Sequence, residues 1–203
     1  KQVTVTVKDK PTDEPAMVQL TLLDTSGNDQ QVTEGTLQEP DGEIAVFAQL
    51  TGPSRDEVTV YLAFGGTATD ADYTAPDTKI VIPVGKPSAG ITLKAKSDPG
   101  YDNGETIIIT ITSVTNATEI RNNGEGQKIT ITKLDEEDPP VATLAVDNIL
   151  IDENGGVATV TATLDKAVLV PVVIGFSFGG TAVRDTNYAA SDTKIDVPAG
   201  QTT

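Results

Sequence analysis

The sequence predicts an all-β chain built from tandem antiparallel β-sandwich domains. One observation is a segment that occurs twice: residues 64–85, FGGTATDADYTAPDTKIVIPVG, and residues 178–200, FGGTAVRDTNYAASDTKIDVPAG, share thirteen identical positions with one residue of slippage. A second is the spacing of the copies, because 114 residues separate Phe64 from Phe178 and such a period matches one small domain. A third is the recurrence of short runs in which apolar and polar residues alternate, without any helical period.

The repeated segment, called the signature segment below, is interpreted as strand, turn and strand. We expect the first strand to end at Phe64 and Gly65-Gly66 to reverse the chain, because glycine enters left-handed backbone conformations without penalty. Tyr73 is expected to pack inward at the corner, with its polar tip tied to backbone. Turn chemistry accounts for these residues, so the segment is interpreted as scaffold rather than as a ligand loop.

The alternating runs follow one another as the strands of an antiparallel sandwich do, at about seven short strands per domain. In chain order they cover residues 1–8, 17–23, 44–50, 58–64, 80–82, 91–95, 107–111 and 129–131, and then residues 141–146, 160–164 and 172–178. The inward residues expected to form one core are Val46, Leu50, Val60, Leu62, Phe64, Ile80, Ile82, Leu93, Ile109 and Ile131.

The repeat divides the chain into four parts. Residues 1–8 are expected to be the last strand of a preceding repeat, residues 9–15 a linker, residues 16–138 one complete sandwich domain, and residues 139–203 the first half of a following domain. The first residues continue a strand pattern and the half-domain lacks three expected strands, so we expect the chain to belong to a longer array. The half-domain would be completed by further chain or by strand exchange with another copy.

Composition narrows the classes of function. Fourteen basic and thirty acidic residues give a net charge of −16, and cysteine, histidine and tryptophan are absent from the sequence. This charge disfavours nucleic acid and anionic membranes as partners and favours metal cations. No apolar run approaches the roughly 20 residues that span a membrane, so we expect no membrane insertion. Without histidine, cysteine or a phosphate loop, we expect no enzymatic activity.

Three acidic groups stand at expected strand ends. Alternate loops of an antiparallel sandwich gather at one pole, so these groups are expected to meet where the next domain attaches. At about 4 Å and an effective dielectric near 20, each carboxylate pair repels by on the order of 4 kcal/mol, and Ca²⁺, which takes 6–8 oxygen ligands, removes that cost. Two interpretations stay open from spacing alone: a calcium site, or solvated acidic turns. The groups are Glu39; Asp98, Asp102 and Glu105; and Asp135, Glu136, Glu137 and Asp138.

Two other aspartates, Asp70 and Asp72, lie inside the first signature segment. The second copy has Asp185 and Asn187 at a different spacing. We therefore interpret Asp70 and Asp72 as turn residues.

Several motifs together resemble the Calx-β family. They are the Gly-Thr-Ala…Asp-Tyr stretch, the Glu-Asn-Gly-Gly turn at residues 153–156, the acidic segment at residues 98–105 and the acidic run after residue 134. The resemblance implies an immunoglobulin-like sandwich with calcium at the end that faces the neighbouring domain. The ligands it implies are Glu39, Asp98, Asp102, Glu105, Asp135, Glu136 and Glu137, with Glu153 in the following repeat.

The sequence departs from the family at one position. The family often carries a ligating aspartate immediately before Gly-Thr-Ala, where this chain has Gly65 and Gly179. Each repeat therefore has one carboxylate fewer, which affects the number and affinity of the ions.

The expected function is that of a structural extender in a long secreted or cell-surface bacterial protein, supporting adhesion or fibre formation. Calcium ions and neighbouring repeats are the expected partners, and calcium would stiffen the joints. Two alternatives were weighed. Polar loops at residues 24–33 and 116–126 could recognise a carbohydrate or protein, although four Phe and four Tyr supply few stacking groups. Calcium sensing would need a tuned affinity and a membrane partner.

Overall fold

A computed structural model describes residues 3–6, 15–22, 32–98 and 100–203. It divides into two compact units. Unit 1 comprises Lys1–Ser97 and Gly104–Leu134, and unit 2 comprises Asp98–Asn103 and Asp135–Thr203. The predicted domain bounds are a different division of the chain and stay a prediction.

Unit 1 is a β-sandwich of two five-stranded sheets. One sheet has the order β5-β7-β3-β1-β9 and the other the order β2-β10-β8-β4-β6. Neighbours run antiparallel, except that β9 is parallel to β1 and β2 is parallel to β10. The strands are β1 (Met17–Leu22), β2 (Glu34–Gln38), β3 (Glu43–Leu50), β4 (Val58–Gly66), β5 (Tyr73–Thr74), β6 (Lys79–Ile82), β7 (Ser88–Ala95), β8 (Thr106–Thr115), β9 (Thr118–Glu119) and β10 (Lys128–Leu134).

The core of unit 1 lies between the two sheets and follows from strand alternation. Side chains of a strand point to alternate faces, so the buried residues of β3, β4, β8 and β10 are two positions apart. The predicted core residues form one cluster, within which Phe64 is partly buried at the edge. The all-β sandwich fold class and this core are therefore confirmed.

Three short strands of unit 1 were not predicted, and several strand ends differ from the prediction. Strand β2 buries a single large apolar side chain, Leu37, so its alternation is too brief to detect. Strands β5 and β9 have two residues each. The expected end of β4 at Phe64 is wrong, because Gly65 and Gly66 continue the ladder opposite Ile108 and Ile107 of β8.

Unit 2 contains two antiparallel hairpins. Strand β11 (Ala142–Val146) pairs with β12 (Val160–Leu164), and β13 (Val172–Gly175) pairs with β14 (Lys194–Val197). Leu164, Val168 and Val197 form a small buried cluster. The expected continuation of β13 to Phe178 is wrong. In unit 1 the matching strand is extended by pairing with β8, and the described strands of unit 2 include no counterpart of β8.

The two signature segments have the same strand register. Val58 lies opposite Ile82 in β4 and β6, and Val172 lies opposite Val197 in β13 and β14. Their glycines also agree: φ is 110° at Gly66 and 116° at Gly180, and 73° at Gly85 and 76° at Gly200. The repeated sequence therefore encodes repeated backbone geometry.

Three predicted segments near the N-terminus lie largely outside the described residues. Residues 3–6 form no strand, and the rest of the predicted strand at residues 1–8 lies outside the described residues. The same holds for most of the linker at residues 9–15 and of the loop at residues 24–33. Within the described ranges, no helix is long and apolar enough to cross a membrane.

Replacing Gly66 by alanine should destabilise unit 1 strongly. A Cβ atom there would lie 2.0 Å from the carbonyl oxygen of Thr106, and the positive φ is unfavourable for alanine. We expect Gly66→Ala to lower the free energy of unfolding by about 2 kcal/mol or more. Gly65→Ala is the matched control, because a Cβ at Gly65 meets nothing within 4 Å. Urea unfolding of both variants measures the difference, and equal stabilities would contradict the assigned geometry.

Candidate metal site

Strand β10 carries a lysine on the face that fills the core. Ile129, Ile131 and Lys133 alternate along this strand, and all three are buried, Lys133 to 1% exposure. A buried ammonium group is unfavourable unless charged partners surround it. The burial of Lys133 therefore depends on the charged residues around its ammonium group.

Three carboxylates of unit 1 surround the ammonium group of Lys133. Its Nζ lies 2.8 Å from Oε1 of Glu39, 3.5 Å from Oδ1 of Asp72 and 3.6 Å from Oε2 of Glu105. All three contacts are ion pairs within 4 Å, and the contact with Asp72 is also a hydrogen bond donated by Nζ. These four residues are called the Lys133 cluster below.

Strand pairing positions two of the carboxylates. Glu39 directly follows β2, and its N–H donates to the carbonyl of Leu134 at 2.9 Å. Glu105 directly precedes β8, and its carbonyl accepts from the N–H of Lys133 at 2.8 Å. Both neighbours of β10 in its sheet thus end beside Lys133. Asp72 precedes β5, so the third carboxylate comes from the opposite sheet.

Asp72 also closes the turn of the signature segment. Its Oδ2 accepts hydrogen bonds from the N–H and the hydroxyl of Thr69. Burial alone would raise the pKa of the Asp72 carboxyl, but these hydrogen bonds and the charge of Lys133 outweigh it and lower the pKa. In the second copy, Asn187 accepts the equivalent hydrogen bond from the N–H of Val183 at 2.8 Å. The turn can therefore form without a charged side chain, whereas the ion pair with Lys133 requires the negative charge of Asp72.

Unit 2 contains a second group of acidic residues, part of which lies on a loop that packs against the apolar core of unit 2. In the loop Asp98–Asn103, Tyr101 packs against the small core of unit 2, and its carbonyl accepts from the N–H of Leu169 at 3.1 Å. A Cβ atom at Gly100 would lie 2.6 Å from the side chain of Leu169. This packing fixes the aspartates on both sides of Tyr101.

Hydrogen bonds hold this loop to the segment that begins at Asp135. The N–H of Asp102 donates to Oδ2 of Asp135 at 2.7 Å, and the N–H of Asp135 donates to the side-chain carbonyl of Asn103 at 3.3 Å. The other Asp135 oxygen accepts from the N–H of Glu137 at 2.7 Å. Asp98 and Asp102 offer oxygens within 4.8 Å of each other, as do Asp135 and Glu137. These four residues are called the unit 2 carboxylate group.

The electrostatics of Glu137 show that this group is crowded. The pKa of Glu137 is raised to about 7, first because its carboxyl shares a hydrogen bond with Asp135, then through desolvation and the charges of Asp135 and Glu136. Its Oε2 is buried and receives no hydrogen bond from the described part of the chain. A buried carboxylate oxygen without a donor fits a site for a hard cation, since Ca²⁺ takes carboxylate oxygens as ligands.

The predicted ligands therefore fall into three sets. Glu39 and Glu105 belong to the Lys133 cluster of unit 1. Asp98, Asp102, Asp135 and Glu137 form the unit 2 carboxylate group. Glu136 and Glu153 are exposed. The structure has acidic groups that could hold a metal, and the individual ligand assignments stay predictions.

Sequence reasoning missed Lys133 and Asp72. Interpreting Asp72 only as a turn residue was wrong, because its carboxylate also pairs with Lys133. The alternation of Ile129 and Ile131 placed Lys133 on the inward face, and an inward lysine requires partners. That signal was available in the sequence.

The loop at residues 116–126, considered above as a ligand-binding loop, is tied to the sandwich. Strand β9 within it pairs with β1, and Asn122 and Glu125 exchange backbone hydrogen bonds at 3.0 and 2.9 Å. The side chain of Asn116 donates to the carbonyl of Glu57 at 2.9 Å. The carbohydrate- or protein-binding alternative stays a prediction.

Comparisons with known proteins give distant structural likenesses. No protein-family model and no curated protein matches the sequence. Among solved structures, the chain is similar to the apo form of the Calx CBD1 domain, with 12% identity over 59% of this chain and 98% of that one, and a TM-score of 0.42. It is also similar to the calcium binding domain CBD12 of CALX1.1, with 14% identity, coverage of 91% and 72%, and a TM-score of 0.46.

A third likeness is the periplasmic chaperone SfaE, with 8% identity, coverage of 92% of this chain and 84% of that one, and a TM-score of 0.39. Identities and TM-scores this low leave the function to be argued from the residues of the chain itself.

The lowered pKa of Asp72 predicts a pH dependence. A folded pKa below the ordinary value of 3.8 means that the charged Asp72 stabilises the fold above that pH. The contribution is lost as the pH falls through the folded pKa. Asp72→Asn should reduce the free energy of unfolding at pH 7 by about 1.5–3 kcal/mol. It should also lose less further stability between pH 5 and pH 2 than the unchanged protein does.

Asp77→Asn is the control, because Asp77 is exposed in the same signature segment and accepts a local hydrogen bond from the N–H of Thr78. Its urea unfolding should follow the unchanged protein across the pH range. If Asp72→Asn also follows it, the assigned role of the Asp72 charge is wrong.

Proposed function

We propose that this chain is a calcium-binding structural module whose unit 2 carboxylate group holds the ion. Asp98, Asp102, Asp135 and Glu137 come from two segments that are far apart in sequence, so one ion would join them. The observation that carries the proposal is the packing of these segments by the hydrogen bonds between Asp102, Asp135 and Asn103. Within each segment, the two carboxylates already lie close together before any ion arrives.

The chemistry of the four groups favours calcium over other cations. They offer only oxygen ligands, and the chain has no cysteine or histidine for softer metals. Ca²⁺ accepts irregular arrangements of 6–8 oxygens, whereas Mg²⁺ demands a near-octahedral shell. When bound, calcium would neutralise the mutual repulsion of the carboxylates.

Chain connectivity suggests what such an ion would do mechanically. The loop Asp98–Asn103 connects β7 to β8, and Asp135 directly follows β10, so both segments continue from strands of unit 1. Both are counted with unit 2. An ion held by both segments would restrict the joint through which the two units are linked.

We also propose where the protein acts and what kind of role it has. A repeated β-sandwich with carboxylate-rich joints suits a non-enzymatic extender in a secreted or cell-surface protein, where calcium is abundant. Extracellular calcium modules bind with dissociation constants of about 10⁻⁴–10⁻³ M. A dissociation constant near 10⁻⁶ M would favour calcium sensing instead.

Calcium should raise the melting temperature of the unchanged protein. An ion that binds the folded state alone adds about 1.4 kcal/mol at ten times the dissociation constant and about 2.7 kcal/mol at a hundred times. Changing Asp98 and Asp102 together to asparagine should abolish most of this gain. In chelator the double variant should be no less stable than the unchanged protein, because repulsion falls.

The matched control changes Asp77 and Asp192 to asparagine. These exposed aspartates occupy equivalent positions in the two signature segments, and each accepts a hydrogen bond from the next N–H. This control also removes two negative charges, so it separates general charge effects from ion binding. The proposal fails if the unchanged protein has the same melting temperature in several millimolar calcium as in chelator.

A further inference from the structure

We infer that Lys133 is the built-in cation of unit 1, and that its ammonium group takes the place that a divalent ion would otherwise need among Glu39, Asp72 and Glu105. The carboxyl-lined end of unit 1 then closes without metal. The inference concerns side chains that all belong to unit 1.

The burial of the four groups carries the inference. The side chains of Lys133 and Glu39 are each 1% exposed, and those of Asp72 and Glu105 are 8% and 18% exposed. Carboxylates in such surroundings need a compensating positive charge. The ammonium nitrogen lies within 4 Å of an oxygen from each of them, as a bound cation would.

Removing the lysine side chain would make the formal charge of the Lys133 cluster more negative. Three carboxylates and one ammonium group sum to a formal charge of −2. Without the ammonium group the charge becomes −3, and three oxygen ligands are left facing the vacated position. This is the kind of ligand set that Ca²⁺ accepts.

The sequence itself supplies a natural neutral replacement. Residues 127–138, QKITITKLDEED, resemble residues 1–14, KQVTVTVKDKPTDE, and this alignment places Val7 at the position of Lys133. Valine suits a strand and is too short to fill the ammonium position. Lys133→Val therefore vacates that position, whereas Lys133→Met is neutral but fills it with a side chain of similar length.

The first test uses the unchanged full chain. Hydrogen exchange is followed at the N–H group of Lys133, which donates to the carbonyl of Glu105 beside the cluster. The inference predicts that its protection, relative to that of the core N–H of Ile109, is the same in chelator and in calcium. A selective loss of protection in chelator would show that this end needs a metal, and would overturn the inference.

The second test compares the two lysine variants in chelator and in calcium. Both should melt roughly 10 °C or more below the unchanged protein in chelator, because a buried ion partner is lost. Calcium should restore Lys133→Val selectively, and calorimetric titration should show one more bound calcium per chain than in the unchanged protein. Lys133→Met should show no added ion. Adding Asp72→Asn to Lys133→Val should remove the extra site.

The outcomes separate this inference from the proposed function. If the unchanged protein binds no calcium and Lys133→Val binds one ion, the proposed function fails and the inference holds. If the unchanged protein binds calcium and Lys133→Val binds no more than it does, the inference fails alone. A Lys133→Val chain that stays unfolded even in excess calcium also overturns it.

Discussion

The positive charge of Lys133 is the constraint on which the closed end of unit 1 depends. Its ammonium group meets Glu39 after β2, Glu105 before β8 and Asp72 from the opposite sheet, so it joins both neighbours of β10 and both layers of the sandwich. Buried ion pairs often add little net stability compared with apolar packing, but losing one partner is costly. A one-residue slip of β10 would turn Lys133 to the other face and remove it from these partners, so the cluster opposes a shift in strand register.

The two acidic groups illustrate different ways of controlling repulsion. In unit 1 a covalently attached ammonium group neutralises the carboxylates. In unit 2, backbone N–H groups of Asp102 and Glu137 donate to Asp135, and a hydrogen bond shared with Asp135, together with desolvation and nearby charge, raises the pKa of Glu137 to about 7. A shared proton relieves such crowding only partly. A divalent ion provides more charge and more coordination, which is the physical reason for placing calcium there.

Much of the fold could be predicted because it depends on local patterns. The core followed from alternation along long strands. The reversal expected at Gly65-Gly66 did not, because both glycines still pair with β8. Strand β2 could not be predicted, because one buried leucine gives no alternation and its partner β10 is 96 residues further along the chain. The acidic residues were identified, but their division into two groups depends on long-range packing. The role of Lys133 could have been predicted, because a lysine on the inward face of a strand requires nearby carboxylates.

The internal repeat separates what the backbone requires from what the charges add. Asp72 and Asn187 make the same turn hydrogen bond, and Gly66 and Gly180 adopt the same backbone angle, so the signature geometry needs no charge. The charge at Asp72 has a partner only because β10 carries Lys133, where the aligned N-terminal segment has Val7. The ion pairing of Asp72 therefore depends on one residue of β10, whereas the backbone geometry of the turn is the same in both copies of the signature segment.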